Sequence, residues 1–216
     1  MLGIILFCLS LSTPLFMKPI TYLALGDSYT IGEAVPASAS FPVQAADMLR
    51  ATGININQPD IVAVTGWTTD ELAAGIAGAT LHPPYDLVTL LIGVNNQYRG
   101  RPLDEYKAEF TALLQQAIHF SGNRPQAVVV LSIPDWGVTP FAADRDRQKI
   151  SREIDVFNAA NKEIAAGFKT RYLDITAFTR EAAADPSLVA EDGLHPSGKD
   201  YQRWAQALIP MFLTAL

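Results

Sequence analysis

The chain reads as an α/β protein, a three-layer α/β/α sandwich around a five-stranded parallel sheet. Three observations carry that expectation. Apolar runs of strand length recur at residues 20–25, 61–64, 87–92, 127–133 and 171–175. Segments with helical spacing lie between or after them. The runs are nearly continuous in apolar residues, as strands covered on both faces require. Such strand–helix alternation gives a parallel sheet with helices on both sides. Five strands suggest the flavodoxin-like order 2-1-3-4-5.

The helical segments follow in order. Residues 41–50 space Phe41, Ala45, Met48 and Leu49 along one face. Residues 69–77 begin at a threonine cap. Residues 103–120 align Leu103, Tyr106, Phe110, Leu113, Leu114 and Ala117. Residues 148–168 repeat the pattern through Ile150, Ile154, Phe157 and Ile164, after an exposed start of alternating charge, Asp144-Arg145-Asp146-Arg147. Residues 198–216 close the chain with Trp204, Ala207, Leu208 and Met211. There is no internal repeat, low-complexity tract or interdomain linker. We therefore read residues 17–216 as one domain.

Composition narrows the function. The 216 residues suffice for one full hydrophobic core, with 49% apolar and 18% charged residues. A formal net charge of -6 argues against nucleic acid and anionic membrane surfaces as main partners. The single cysteine, Cys8, excludes an internal disulfide and a cysteine-built metal site. His82, His119 and His195 are too scattered to suggest zinc. Residues 1–16 form an apolar segment resembling a signal-peptide core, too short for a good bilayer span. It has no leading Lys or Arg and no clean cleavage site. It reads as an over-extended start before Met17-Lys18, with a cytoplasmic protein, or as an export signal.

In a doubly wound sheet, ligands bind outside the carboxyl ends of the strands. The polar, glycine-containing clusters fall there. Gly26-Asp27-Ser28 follows strand one and Thr65-Gly66-Trp67-Thr68 strand two. Gly93-Val94-Asn95-Asn96-Gln97 follows strand three and Pro134-Asp135-Trp136-Gly137 strand four. Asp192-Gly193-Leu194-His195-Pro196 follows strand five by a longer route. Singly, each has a plainer reading as a cap, a turn or a solvated loop. Together they offer a hydroxyl, an imidazole and a carboxylate. A hydroxyl needs an imidazole to take its proton, and the imidazole needs a carboxylate to hold its tautomer.

This order of blocks resembles the SGNH hydrolases, also called the GDSL esterase/lipase family. The resemblance spans residues 20–216. It rests on Gly26-Asp27-Ser28-Tyr29, Gly66, Gly93-Val94-Asn95-Asn96 and Asp192-Gly193-Leu194-His195-Pro196. It implies Ser28 as nucleophile, His195 as base and Asp192 as its orienter. It also implies an oxyanion hole from the backbone N–H groups of Ser28 and Gly66 and the Asn95 side-chain amide. Asp27 would anchor the nucleophile loop. Expected is a serine ester hydrolase of carboxylesterase, lysophospholipase or acetylesterase type. It would act on a small-molecule ester with a short acyl chain, since no long lid insertion separates the blocks. No cofactor or metal is called for.

One departure stands out. The family's third block ends in Asp, and this chain has Asn96. An amide adds a donor and removes a charge, which puts loop anchoring at that position in question. Other readings were an α/β-hydrolase, whose Gly-x-Ser-x-Gly lies deeper in the chain and would need Gly at Thr30, and a flavodoxin-like nucleotide module. A third was an SGNH-fold domain without catalysis that binds carbohydrate or a protein partner. Trp67, Tyr98 and Trp136 sit in rim loops, as pocket walls or loop anchors. Arg99 and Arg101 could meet an anionic substrate group or simply be solvated.

Overall fold

A computed structural model describes residues 18–216, so the expectation for residues 1–16 lies outside the described residues. The five strands are β1 (Tyr22–Gly26), β2 (Asp60–Ala63), β3 (Leu87–Leu91), β4 (Val128–Leu131) and β5 (Arg171–Leu173). They form one parallel sheet in the order β2-β1-β3-β4-β5. The expected fold class and strand order are those observed. β1, β3 and β4 are buried along their whole length, as their apolar runs demand. β2 is an edge strand, and Asp60 and Ile61 face solvent.

Eight α-helices surround the sheet among the described residues. They are α1 (Ser28–Ile31), α2 (Phe41–Ala51), α3 (Thr69–Gly78), α4 (Val94–Tyr98), α5 (Leu103–Phe120), α6 (Arg147–Gly167), α7 (Thr176–Arg180) and α8 (Gly198–Leu213). α2 and α8 pack together, with the rings of Phe41 and Trp204 5.9 Å apart. α5 packs between α3 and α6. Right-handed crossovers along a sheet that switches direction at β1 distribute the helices over its two faces. α5 runs as expected. α6 starts at Arg147, capped by the Asp146 side chain, which accepts from the Lys149 N–H.

The sequence expectation differs from the structure mainly in the short helices. α1, α4 and α7 have four or five residues, too few to show a 3.6-residue period. Several strands end earlier than their apolar runs, because those runs continue into the loops. Register then places the functional loops. Gly26 pairs with Ala63 on one side and Leu91 on the other. The ends of β1, β2 and β3 are therefore level, and the loops after them share one rim.

Candidate active site

Ser28 is the first residue of α1, directly after β1. The Asp27 side chain caps that helix by accepting the Tyr29 N–H at 3.0 Å. A strand feeding a four-residue helix leaves little freedom at residue 28, and Ser28 is only 4% exposed.

His195 lies 167 residues away in sequence, and the fold brings it to Ser28. Its Nε2 is 2.9 Å from Ser28 Oγ. Its Nδ1 is 2.5 Å from Asp192 Oδ2. The Asp-x-x-His spacing builds the second contact locally. Asp192 Oδ1 accepts the backbone N–H groups of Leu194 and His195, at 2.9 and 3.0 Å. That turn leaves Oδ2 free for the ring. With Nδ1–H donated to Asp192, Nε2 is the ring's acceptor for the Ser28 hydroxyl. The Tyr29 ring lies against the imidazole, 4.8 Å between centroids, and limits its rotation.

Electrostatics separates the two carboxylates. Partial burial pushes Asp192 up, but the bonds from the His195 ring and the two backbone N–H groups outweigh it. Its pKa lies below the ordinary value, so Asp192 is an anion throughout the neutral range. Asp27 is fully buried, and burial pushes it up to about 7 against the opposing Tyr29 N–H bond.

Gly66 and Asn95 line the same cleft as Ser28 and His195. Gly66 has φ +83°, a left-handed conformation that favours glycine. Asn95 Nδ2 donates to the Trp67 carbonyl at 3.0 Å and lies 3.5 Å from Asp27 Oδ2. The second contact is long, so one amide hydrogen is only weakly held. The cleft holds about 180 Å³ of free space. Val94, Tyr98, Trp136, Phe141 and Leu194 give it an apolar wall. The Tyr98 and Trp136 rings meet edge to face at 5.3 Å, and Phe141 lies 6.0 Å from Trp136.

Asn96 does anchor its loop. It is fully buried, accepts the Thr69 N–H at 3.1 Å and donates to Thr69 Oγ1 at 2.6 Å. Trp67 does not line the cleft. Its ring packs where a β-carbon on Gly75 of α3 would sit, and its carbonyl serves Asn95. Arg101 pairs with Asp70 and Glu105, and Arg99 with Glu71 and the Gly66 carbonyl. Phe141 escaped the sequence reading because it sits in a short turn with no motif and no period. Among the described residues, no group of three or more His, Cys, Asp or Glu could hold a metal ion. No described helix is long and apolar enough to cross a membrane.

The family model of the GDSL-like lipase/acylhydrolases matches residues 24–203. No curated protein matches the sequence. The crystal structure of TesA superposes with a TM-score of 0.70 at 20% identity, covering 91% of this chain and 99% of TesA. Axe2, an acetylxylan esterase from Geobacillus stearothermophilus, gives 0.69 at 20% identity, covering 91% and 96%. A lipase/acylhydrolase from Enterococcus faecalis gives 0.66 at 21% identity, covering 88% and 94%. At these identities the likeness to solved structures speaks for the fold, and the match over residues 24–203 speaks for membership. The chain belongs to the GDSL-like lipase/acylhydrolase family of SGNH hydrolases.

Proposed function

We propose that the protein is a serine esterase that hydrolyses carboxylic esters with short acyl chains through an acyl-enzyme. One observation carries the reading: hydrogen bonds run unbroken from Asp192 through the His195 ring to Ser28 Oγ.

The chemistry follows from the roles. Ser28 Oγ attacks the ester carbonyl carbon as His195 Nε2 takes its proton. Asp192 stabilises the imidazolium and holds the tautomer. The former carbonyl oxygen becomes an oxyanion. It is met by the N–H groups of Ser28 and Gly66 and the loosely held hydrogen of Asn95. Donors fixed beforehand stabilise that charge without reorganising. His195 then protonates the leaving alcohol as the tetrahedral adduct collapses to the acyl-enzyme. Water, deprotonated by His195, attacks the acyl carbon and releases the acid.

The cleft supports a small substrate. Its 180 Å³ is below the ~300–1,000 Å³ of pockets that enclose drug-sized ligands. Its apolar wall suits a short acyl group. The acetylxylan esterase among the structural neighbours is in keeping with an acetyl ester.

Ser28→Ala tests the reading, assayed with a short-chain p-nitrophenyl ester beside stoichiometric labelling by a fluorophosphonate. Wild type is expected to turn over the ester and take one label at Ser28. The variant is expected to lose nearly all turnover and all labelling. Wild-type hydrolysis by Ser28→Ala would falsify the assignment.

A further inference from the structure

Arg99 follows Asn95 by four residues, and its N–H closes α4 on the Asn95 carbonyl at 3.0 Å. Residues four apart on a helix share a face. Both side chains reach the segment between β2 and α3, and they grip it at neighbouring carbonyls. Asn95 Nδ2 holds the Trp67 carbonyl at 3.0 Å. Arg99 Nη2 holds the Gly66 carbonyl at 2.7 Å. The other arm of the guanidinium, Nη1, reaches Glu71 Oε1 at 3.2 Å. Glu71 Oε2 in turn accepts the Thr68 N–H at 2.8 Å. One cation thus links α4, the Gly66 carbonyl and the first turn of α3.

Gly66 needs such a hold. Glycine at positive φ has wide backbone freedom, so its neighbouring peptides can tilt at little cost. The Gly66 and Ser28 N–H groups donate to no other described residue. The turn that aims the Gly66 N–H is closed by the Trp67 N–H on the Val64 carbonyl at a long 3.3 Å, so the 2.7 Å grip of Arg99 on the Gly66 carbonyl is the tighter hold on it. Resting on the oxyanion role of Gly66, we propose that Arg99 is a positioning residue. It aims the Gly66 N–H at the developing oxyanion and is not a receptor for an anionic substrate group. Both terminal nitrogens are engaged, one by a carbonyl and one by a carboxylate that offsets the charge a substrate anion would need.

Arg99→Ala and Arg99→Lys test this, with turnover of a neutral short-chain ester and the affinity of a matching trifluoromethyl ketone. That ketone binds as an adduct carrying the oxyanion, so it reports the hole directly. Losing a whole oxyanion donor costs ~10²–10³ in turnover. A misaimed donor is therefore expected to lower kcat by about 10- to 100-fold in Arg99→Ala, with KM within about twofold. Ketone affinity is expected to fall by the same factor. Lysine restores one donor without the fork and is expected to recover part of the loss. Should Arg99→Ala fail to fold, Arg99→Lys carries the test, with kcat and ketone affinity falling together. A rise in KM confined to anionic esters, with kcat unchanged, would overturn the proposal in favour of substrate recognition. Unchanged kcat and ketone affinity would reduce Arg99 to a surface ion pair. Ser28→Ala, run alongside, separates these outcomes. Activity surviving there removes the site itself, whereas its loss beside an unaffected Arg99→Ala removes only the positioning role.

Discussion

Asn96 shows how a single atom decides a loop. The Thr69 hydroxyl has one proton and gives it to Glu109, so its oxygen can only accept from residue 96. An amide donates there, and an ionised carboxylate cannot. Asn96→Asp is therefore expected to cost about 1–3 kcal/mol, the usual penalty of an unsatisfied buried group. Thermal melts read it as a loss of several degrees, and adding Glu109→Gln is expected to restore most of it. A melt unchanged in Asn96→Asp would refute the account. Asp192 makes a second prediction at this scale. In Asp192→Asn the side-chain oxygen can keep both backbone N–H bonds, but the new NH₂ faces the ring. The imidazole then turns its proton to Nε2 and can no longer accept from Ser28. Turnover is expected to fall by about 10⁴ with the fold retained, and a loss under tenfold would contradict the tautomer argument. Ser28, Asp192 and His195 were legible because each lies in a short contiguous block. The partners of Arg99 and Glu109 were not, because Gly66 and Thr69 lie 33 and 40 residues away and only the fold pairs them.

At the scale of elements, the corner between β3 and α4 carries the tightest constraint. Gly93 has φ +128°, and a β-carbon there would lie 2.5 Å from Tyr106 Cε2. Tyr106 cannot retreat. It is fully buried on α5, donates to the Ile92 carbonyl at 3.2 Å and accepts from Asn161 of α6 at the same distance. Gly93→Ala therefore forces α4 off its seat, and Asn95 and Arg99 move with it. Overpacking costs about 1–3 kcal/mol and the left-handed backbone about 1–2 more. The melting temperature is expected to drop by roughly 5–15 °C at 2–4 °C per kcal/mol. Turnover measured well below the melt is expected to fall as well, and a variant that melts lower yet turns over normally would uncouple the corner from the site. The long elements were readable because apolar periodicity fixes them. α1 and α4 were not, since four or five residues carry no period, and their sequences fit a cap or a turn as well as a helix. Those two helices present Ser28 and Asn95, so the elements hardest to read were the ones the site depends on.

For the whole molecule, topology was the most legible layer, because near-continuous apolar strands and right-handed crossovers leave few arrangements. β1 sits between β2 and β3, where the winding reverses and a crevice opens. The titration of the buried groups was not legible, since it depends on how deeply packing seals each carboxyl. Burial pushes Asp27 up to about 7 and Asp200 up to about 6, against the bonds each accepts. The sign of the consequence follows from linkage. The folded chain keeps protons on these two groups that the unfolded chain releases near the ordinary carboxyl value of 3.8. Their contribution to stability is full below that value and is lost as pH rises through about 6 and 7. Asp70, Glu71, Asp185 and Asp192 act in the opposite sense. Their values are held down by hydrogen bonds, to about 2 for Asp185, so their contribution is present above the ordinary carboxylate range and lost in acid. The two sets together place the stability maximum on the acid side of neutrality. Melting temperature is expected to peak near pH 4–5 and to decline through about pH 7. Asn at position 27 can still accept the Tyr29 N–H and has no proton to lose. Asp27→Asn is therefore expected to flatten the decline between pH 5 and 8, leaving the smaller slope due to Asp200. A wild-type melting temperature that rises over that interval, or a variant with the wild-type slope, would show that the buried Asp27 carboxyl does not set the pH response.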